Sequence, residues 1–221
     1  MDAIREFLRG LTLRRFVCFI VGLCFLACGI TMNTKTRLGM SPIISVAYNI
    51  AALLGISFSV MTFFYYVLMV LLQYLMLRDR FIQIQWLQLL VSFLTSALIG
   101  LFDRILPSAE SIPARVLLLI VAILFTGIGI ILTVGADVVP NPADGLTRAV
   151  SICSGRSLGL SKNLLDLLSI VLSAAIGLIF RGEIFGIGLG TVVTMLLTGR
   201  VVALLQKPVL QLTALSEAGT P

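Results

Sequence analysis

The segment VLLLIVAILFTGIGIIL, Val116 to Leu132, holds no charged side chain and approaches the roughly 20 apolar residues that carry a helix across a bilayer. Apolar runs of this kind fall at about 16–33, 42–54, 57–77, 85–102, 115–135, 162–180 and 184–205. Only 12% of the 221 residues are charged and 59% are apolar, whereas soluble domains carry about 25% charged residues. So few charges cannot cover a water-facing surface. The chain therefore reads as an all-α, polytopic membrane protein, with residues 1–221 forming a single integral-membrane domain.

The charges that remain are arranged for topology. The sixteen Lys and Arg lie almost entirely at the ends of apolar runs, where such residues anchor spans and set orientation. No basic block stands apart, so the expected partner is membrane lipid and not nucleic acid. The absence of His removes the commonest metal ligand and near-neutral proton relay. Cys24 and Cys28 share a helix face, but two thiols alone make a poor zinc site. With Cys18 and Cys153 they read as buried packing residues. No Ser/His or Cys/His pair and no carboxylate cluster is present, so no metal, cofactor or catalytic role is expected. At the N-terminus, Ile4, Phe7, Leu8 and Leu11 oppose Arg5, Arg9 and Arg14, the pattern of a short interfacial helix. The basic start and the FLAC motif ending at Cys28 resemble a lipoprotein signal, but the segment reads as an uncleaved first span.

Length exposes an irregularity. Pro42 to Leu77 is 36 residues, too few for two full spans and a turn. Residues 57–77 suffice for one span, which leaves 42–54 as a half-length helix. The region from Pro142 to Phe180 has the same problem, since its first third is polar. Aligning the chain with itself at an offset of 100 gives nine identities over residues 15–60, among them Phe25/Phe125, Gly29/Gly129, Pro42/Pro142, Gly55/Gly155 and Ser57/Ser157. The Gly and Pro matches mark backbone requirements and not mere apolarity. The expectation is two repeats, about 15–104 and 115–205, each with three spans and one short re-entrant or interfacial helix. An odd number of spans inverts the second copy, an architecture that recurs in transporters. Four full spans per copy would instead give parallel repeats; length favours three plus three. The N-terminus is then cytoplasmic.

The most polar stretch is NPADGLTRAV, Asn141 to Val150, which opens the second short helix as SPIISVAYNI opens the first. Asn141 or Ser41 serves as N-cap and Pro142 or Pro42 as first helical residue. A helix that begins at membrane depth aims free N–H groups and a partial positive charge at whatever lies there. Asp144 and Arg148 are i, i+4 neighbours, as are Lys162 and Asp166, and Asn163 adjoins the second pair. The candidate substrate-binding set is Asn141, Asp144, Arg148, Ser151, Asn163 and Asp166, with Ser41 and Asn49 from the first copy. The bland reading makes the charged members solvated anchors at the headgroups. In RGEIFGIGLGT, Gly182, Gly186 and Gly190 are spaced by four and read as a close-packing helix face.

The RRF pair, the GI pair near the end of the first span, GMSP, NPADGL and the final GIGLGT…GR together resemble the YczE/YyaS/YitT family of bacterial membrane proteins. The resemblance covers nearly the whole chain and implies a multi-pass protein of the bacterial plasma membrane. It implies no substrate. Two functions are carried forward: a secondary transporter of a small polar or anionic molecule, or a membrane-embedded accessory protein acting through a protein partner. A homodimer fits either. A cavity walled by residues 41–49 and 141–151 would favour transport; a solid core would favour the accessory role.

Overall fold

The computed structural model describes residues 12–215. Among them are eight α-helices and no strand: α1 (Leu13–Lys35), α2 (Pro42–Leu54), α3 (Phe58–Leu77), α4 (Gln88–Ile105), α5 (Ile112–Gly135), α6 (Pro142–Ser154), α7 (Leu158–Arg181) and α8 (Leu189–Thr213). Two 3₁₀ turns, Arg78–Arg80 and Gln83–Leu87, join α3 to α4. The interfacial helix expected around Ile4, Phe7, Leu8 and Leu11 lies outside the described residues.

Six helices (α1, α3, α4, α5, α7 and α8) are long and apolar enough to cross a membrane. The other two have 13 residues each, about 20 Å of helix against roughly 30 Å of hydrocarbon. Their limits follow from local chemistry. Pro42 and Pro142 sit at the first turn, where the missing N–H costs nothing. Gly55 and Gly155 end the two helices in the left-handed region at φ 66° and 65°, a conformation that suits glycine. Ser57 and Ser157 then cap α3 and α7 by accepting from the N–H groups of Val60 and Leu160.

Large apolar side chains such as Phe64, Leu75, Ile120, Leu167 and Phe180 are exposed, while Thr31, Gln73, Gln88, Ser173 and Thr191 are buried. That inside-out distribution suits a lipid exterior. Tyr74, Phe81 and Trp86 pack together at the α3–α4 turn, with centroids 5.2–5.4 Å apart, beside Arg78 and Arg80. Such amphipathic rings and cations mark one membrane–water interface.

The centre is the crossing of α1 and α5, the most extensive helix contact in the fold. Gly29 lies on the backbone of Thr126, and Gly129 on that of Leu26. The rings of Phe25 and Phe125 meet across the same seam at 4.9 Å. Positions a hundred apart thus touch each other or exchange contacts. The short helices follow the same exchange: α2 packs mainly on α7, and α6 mainly on α3. Asn49 on α2 donates to the Ser173 carbonyl and hydroxyl on α7, and Gln73 on α3 donates to the Pro142 carbonyl on α6. One departure is that α7 and α8 share no extended contact like that between α3 and α4.

Two sequence expectations are corrected. Gly182, Gly186 and Gly190 do not share a helix face, because α7 ends at Arg181 and α8 begins only at Leu189. Gly182 and Gly186 take φ 71° and 72° in the intervening loop, where Gly186 abuts Asn49. Its carbonyl accepts from Met40 N–H at 2.8 Å, and the Gly190 N–H donates to the Leu38 carbonyl at 2.8 Å. The loop therefore packs against the start of α2, although not through a helix stripe. Cys153 is exposed and not a packing residue; Cys28 is buried and Cys18 and Cys24 are half-buried.

A Cβ on Gly129 would lie 2.5 Å from the Leu26 backbone nitrogen, whereas one on Gly199 meets nothing within 4 Å. Gly129→Ala should lower the melting temperature of the detergent-purified protein, with an overpacking cost of about 1–3 kcal/mol. Gly199→Ala should leave it unchanged or slightly raised. Three spans separate Ser57 from Ser157, so single cysteines at these positions should react with an impermeant maleimide from opposite sides of the membrane. Labelling of both from one side would contradict the six-span topology.

Candidate functional site

The starts of α2 and α6 differ in how they are capped. The Asn141 side-chain oxygen accepts from the Ala143 N–H at 3.0 Å. Ser41 makes no such cap bond. The first N–H groups paired to backbone carbonyls are those of Ser45 and Gly145, which donate to Ser41 and Asn141. The N–H groups of Ile43 and Ile44 therefore remain open, as the first N–H groups of any helix do unless something outside it accepts.

Both helix starts border one cavity of about 80 Å³. The first half contributes Ser41 to Ile44, Leu26, Ile30 and Tyr66; the second contributes Thr126, Ile130, Asn141, Ala143, Asp144, Lys162, Asp166, Thr194, Met195 and Thr198. Leu26 and Tyr66 lie near the middles of α1 and α3, so the cavity sits near the middle of the bundle's depth. An engineered cavity of about 150 Å³ admits benzene. This one has room for a smaller molecule or a few waters.

Its polar groups divide by state of pairing. Lys162 and Asp166, one turn apart on α7, form an ion pair at 3.4 Å with side chains 38% and 4% exposed. Asp144 forms no ion pair or hydrogen bond among the described residues, although Lys162 and Asp166 both lie within electrostatic reach. The Asn141 amide nitrogen and the Thr198 hydroxyl are buried without a hydrogen-bond partner. The Tyr66 phenol stands beside Asn141, yet no hydrogen bond to the amide nitrogen forms. Buried polar atoms are normally satisfied, so orphans that line a cavity call for a water or a ligand.

Of the residues expected in a site, the cavity brings together Ser41, Asn141, Asp144 and Asp166. Four lie elsewhere. Arg148 is exposed and makes no ion pair with Asp144. Ser151 donates to the Arg156 carbonyl at 2.7 Å near the far end of α6, about 15 Å along the helix from Asn141. Asn163 is exposed, because a helix turns about 100° per residue and rotates it off the face that Lys162 and Asp166 share. Asn49 is fully buried, but it ties α2 to Ser173 and to the Phe185 carbonyl at 2.9 Å and does not line the cavity. Lys162, Tyr66, Thr126, Thr194, Met195 and Thr198 complete the wall. The α8 threonines left a sequence signal: Thr191, Thr194 and Thr198 recur every three or four residues, and all are buried.

The chain belongs to a family of unknown function, DUF6198, whose pattern matches residues 13–207. No curated protein and no solved structure matches it.

The ion pair makes an asymmetric prediction. Lys162→Met strands a buried carboxylate and should cost roughly 1–3 kcal/mol or more. Asp166→Asn leaves a lysine that reaches solvent and should cost less. Melting of both variants and of the double variant checks the order; an Asp166→Asn loss equal to that of Lys162→Met would contradict it.

Proposed function

We propose that the protein is a secondary transporter of a small polar or anionic molecule across the bacterial plasma membrane. The observation that carries this reading is the cavity at mid-depth on which two short helices, one from each half, converge with their N-terminal ends. Half-helices that aim positive dipole ends at a substrate site between inverted repeats are a recurrent transporter device. Support for the inverted repeat comes from the matched order of helix lengths, the Phe25/Phe125 contact and the exchanged packing of α2 on α7 and α6 on α3.

The orientation follows the charges. One end of the bundle carries Arg14, Arg15, Arg78, Arg80, Arg156 and Lys207 together with Asp79 and Asp137; the other carries Lys35, Arg37, Arg104, Arg115 and Arg181 together with Asp103, Glu110 and Glu183. The first end is the richer in cations and is assigned to the cytoplasm with the N-terminus. The resemblance to the YczE/YyaS/YitT family agrees with a bacterial plasma membrane.

A second reading, an accessory protein that acts through a protein partner, rests on one residue. Arg200 is exposed halfway along α8, a depth at which a guanidinium is costly in lipid and usually meets a partner or a water-filled space. A second copy of the chain would satisfy the same need within the transport reading.

Thr198→Leu separates the two. The substitution fills part of the cavity and removes an orphaned hydroxyl, so melting should be unchanged or raised. Uptake by proteoliposomes, screened over small polar solutes and anions, should be lost. Uptake by wild type that Thr198→Leu leaves intact would contradict transport through this cavity.

A further inference from the structure

The cavity's electrostatics go beyond the broad class of a small polar or anionic solute, and the argument rests on the reading of this cavity as the transport site. Its positive wall is the start of α2. There Ser41 provides no cap and the N–H groups of Ile43 and Ile44 stay open. That end carries about half an elementary charge, and no side chain of its own first turn caps it. Beside it, the Asn141 side chain, 3% exposed, presents an amide nitrogen with no acceptor, and Thr198, 7% exposed, presents an unpartnered hydroxyl. All of these line the cavity.

Its negative wall is Asp144. The carboxylate stands at the third position of α6, whose own N-terminus offsets about half of its charge. No hydrogen bond or ion pair takes up the rest. Lys162 and Asp166 neutralise each other across 3.4 Å and add no net charge. The cavity is thus dipolar, with an anion-seeking end and a cation-seeking end and little net charge between them.

We infer that the ligand is a small zwitterion, an amino acid of glycine or alanine size, with its carboxylate on the open α2 start and Asn141 and its ammonium on Asp144. A simple anion would have to face Asp144, and a simple cation would have to face the α2 N-terminus. A zwitterion satisfies both walls and brings acceptors to the orphaned amide. Size limits the choice to the smallest zwitterions, since about 80 Å³ is close to half of the roughly 150 Å³ that admits the six carbons of benzene.

The test is binding to the full chain in detergent, measured by calorimetry and ligand-dependent melting with glycine, L-alanine, acetate and methylammonium as probes. Glycine or alanine should bind at least tenfold more tightly than either single-charge probe. Asp144→Asn should weaken glycine binding at least tenfold and strengthen acetate binding. Acetate or methylammonium matching glycine on the wild type would overturn the assignment, as would the absence of any binding, or a folded Asp144→Asn protein with unchanged glycine affinity. If that variant does not fold, the wild-type ranking of probes decides alone. Counterflow in proteoliposomes keeps the two readings apart. Glycine binding without counterflow would overturn transport and leave the zwitterion site standing; acetate counterflow without glycine binding would do the reverse.

Discussion

A helix that begins inside a bilayer exposes N–H groups where no water is available to accept from them. Every feature around the cavity answers that constraint. Pro42 and Pro142 remove one donor from each start, and the Asn141 side chain accepts from another. Asp144 places a carboxylate at the positive end of α6. The α2 start has its proline alone, with neither a side-chain cap nor a carboxylate in its first turn, and its open groups border the cavity together with the orphaned Asn141 amide. Donors left unpaired at such a depth call for an acceptor, a water or a ligand.

Two short helices can meet at mid-depth only if the surrounding spans hold them. The α1–α5 seam provides the close approach, because glycines at 22, 29 and 129 remove the side chains that would hold the backbones apart. The short helices are then fixed from the opposite half. Gln73 and Gln88 exchange hydrogen bonds with each other at 3.0 Å while Gln73 also donates to the Pro142 carbonyl at 3.1 Å. Gly145 is small enough to sit against that pair. Asn49 does the corresponding work for α2 through Ser173 and Phe185. With α7 and α8 not packed together, α8 is held in the second half mainly by α5.

The bounds of α2 and α6 were legible in the sequence because the punctuation is chemical: a serine or asparagine, a proline, and a glycine thirteen residues on that only the left-handed region explains. The Lys162–Asp166 pair was legible from spacing, since i, i+4 partners share a face. Polarity alone misled elsewhere. Arg148, Ser151 and Asn49 lie on the short helices, but only the first turn of each helix reaches the cavity, and no local pattern says which end points inward. The IFGIGLG stretch is as apolar as a span, and its glycines imitate a packing stripe, which hid the loop between α7 and α8. Tyr66 was invisible: one phenol in the run TFFYYVLM carries no sign of the cavity that α6 brings to it.

The claim on which the account stands is that Ser41 and Asn141, a hundred residues apart, border one space inside the membrane. Cross-linking in native membranes measures this directly. Cysteines would be placed at both positions in a chain whose four native cysteines are replaced, with a protease site in the 106–111 loop. The account predicts that a short bis-maleimide joins the two halves, so that they migrate together after cleavage. If the short helices instead lay flat in the two headgroup layers, roughly 30 Å of hydrocarbon would separate the positions. The halves would then part on cleavage, and the shared cavity would be contradicted.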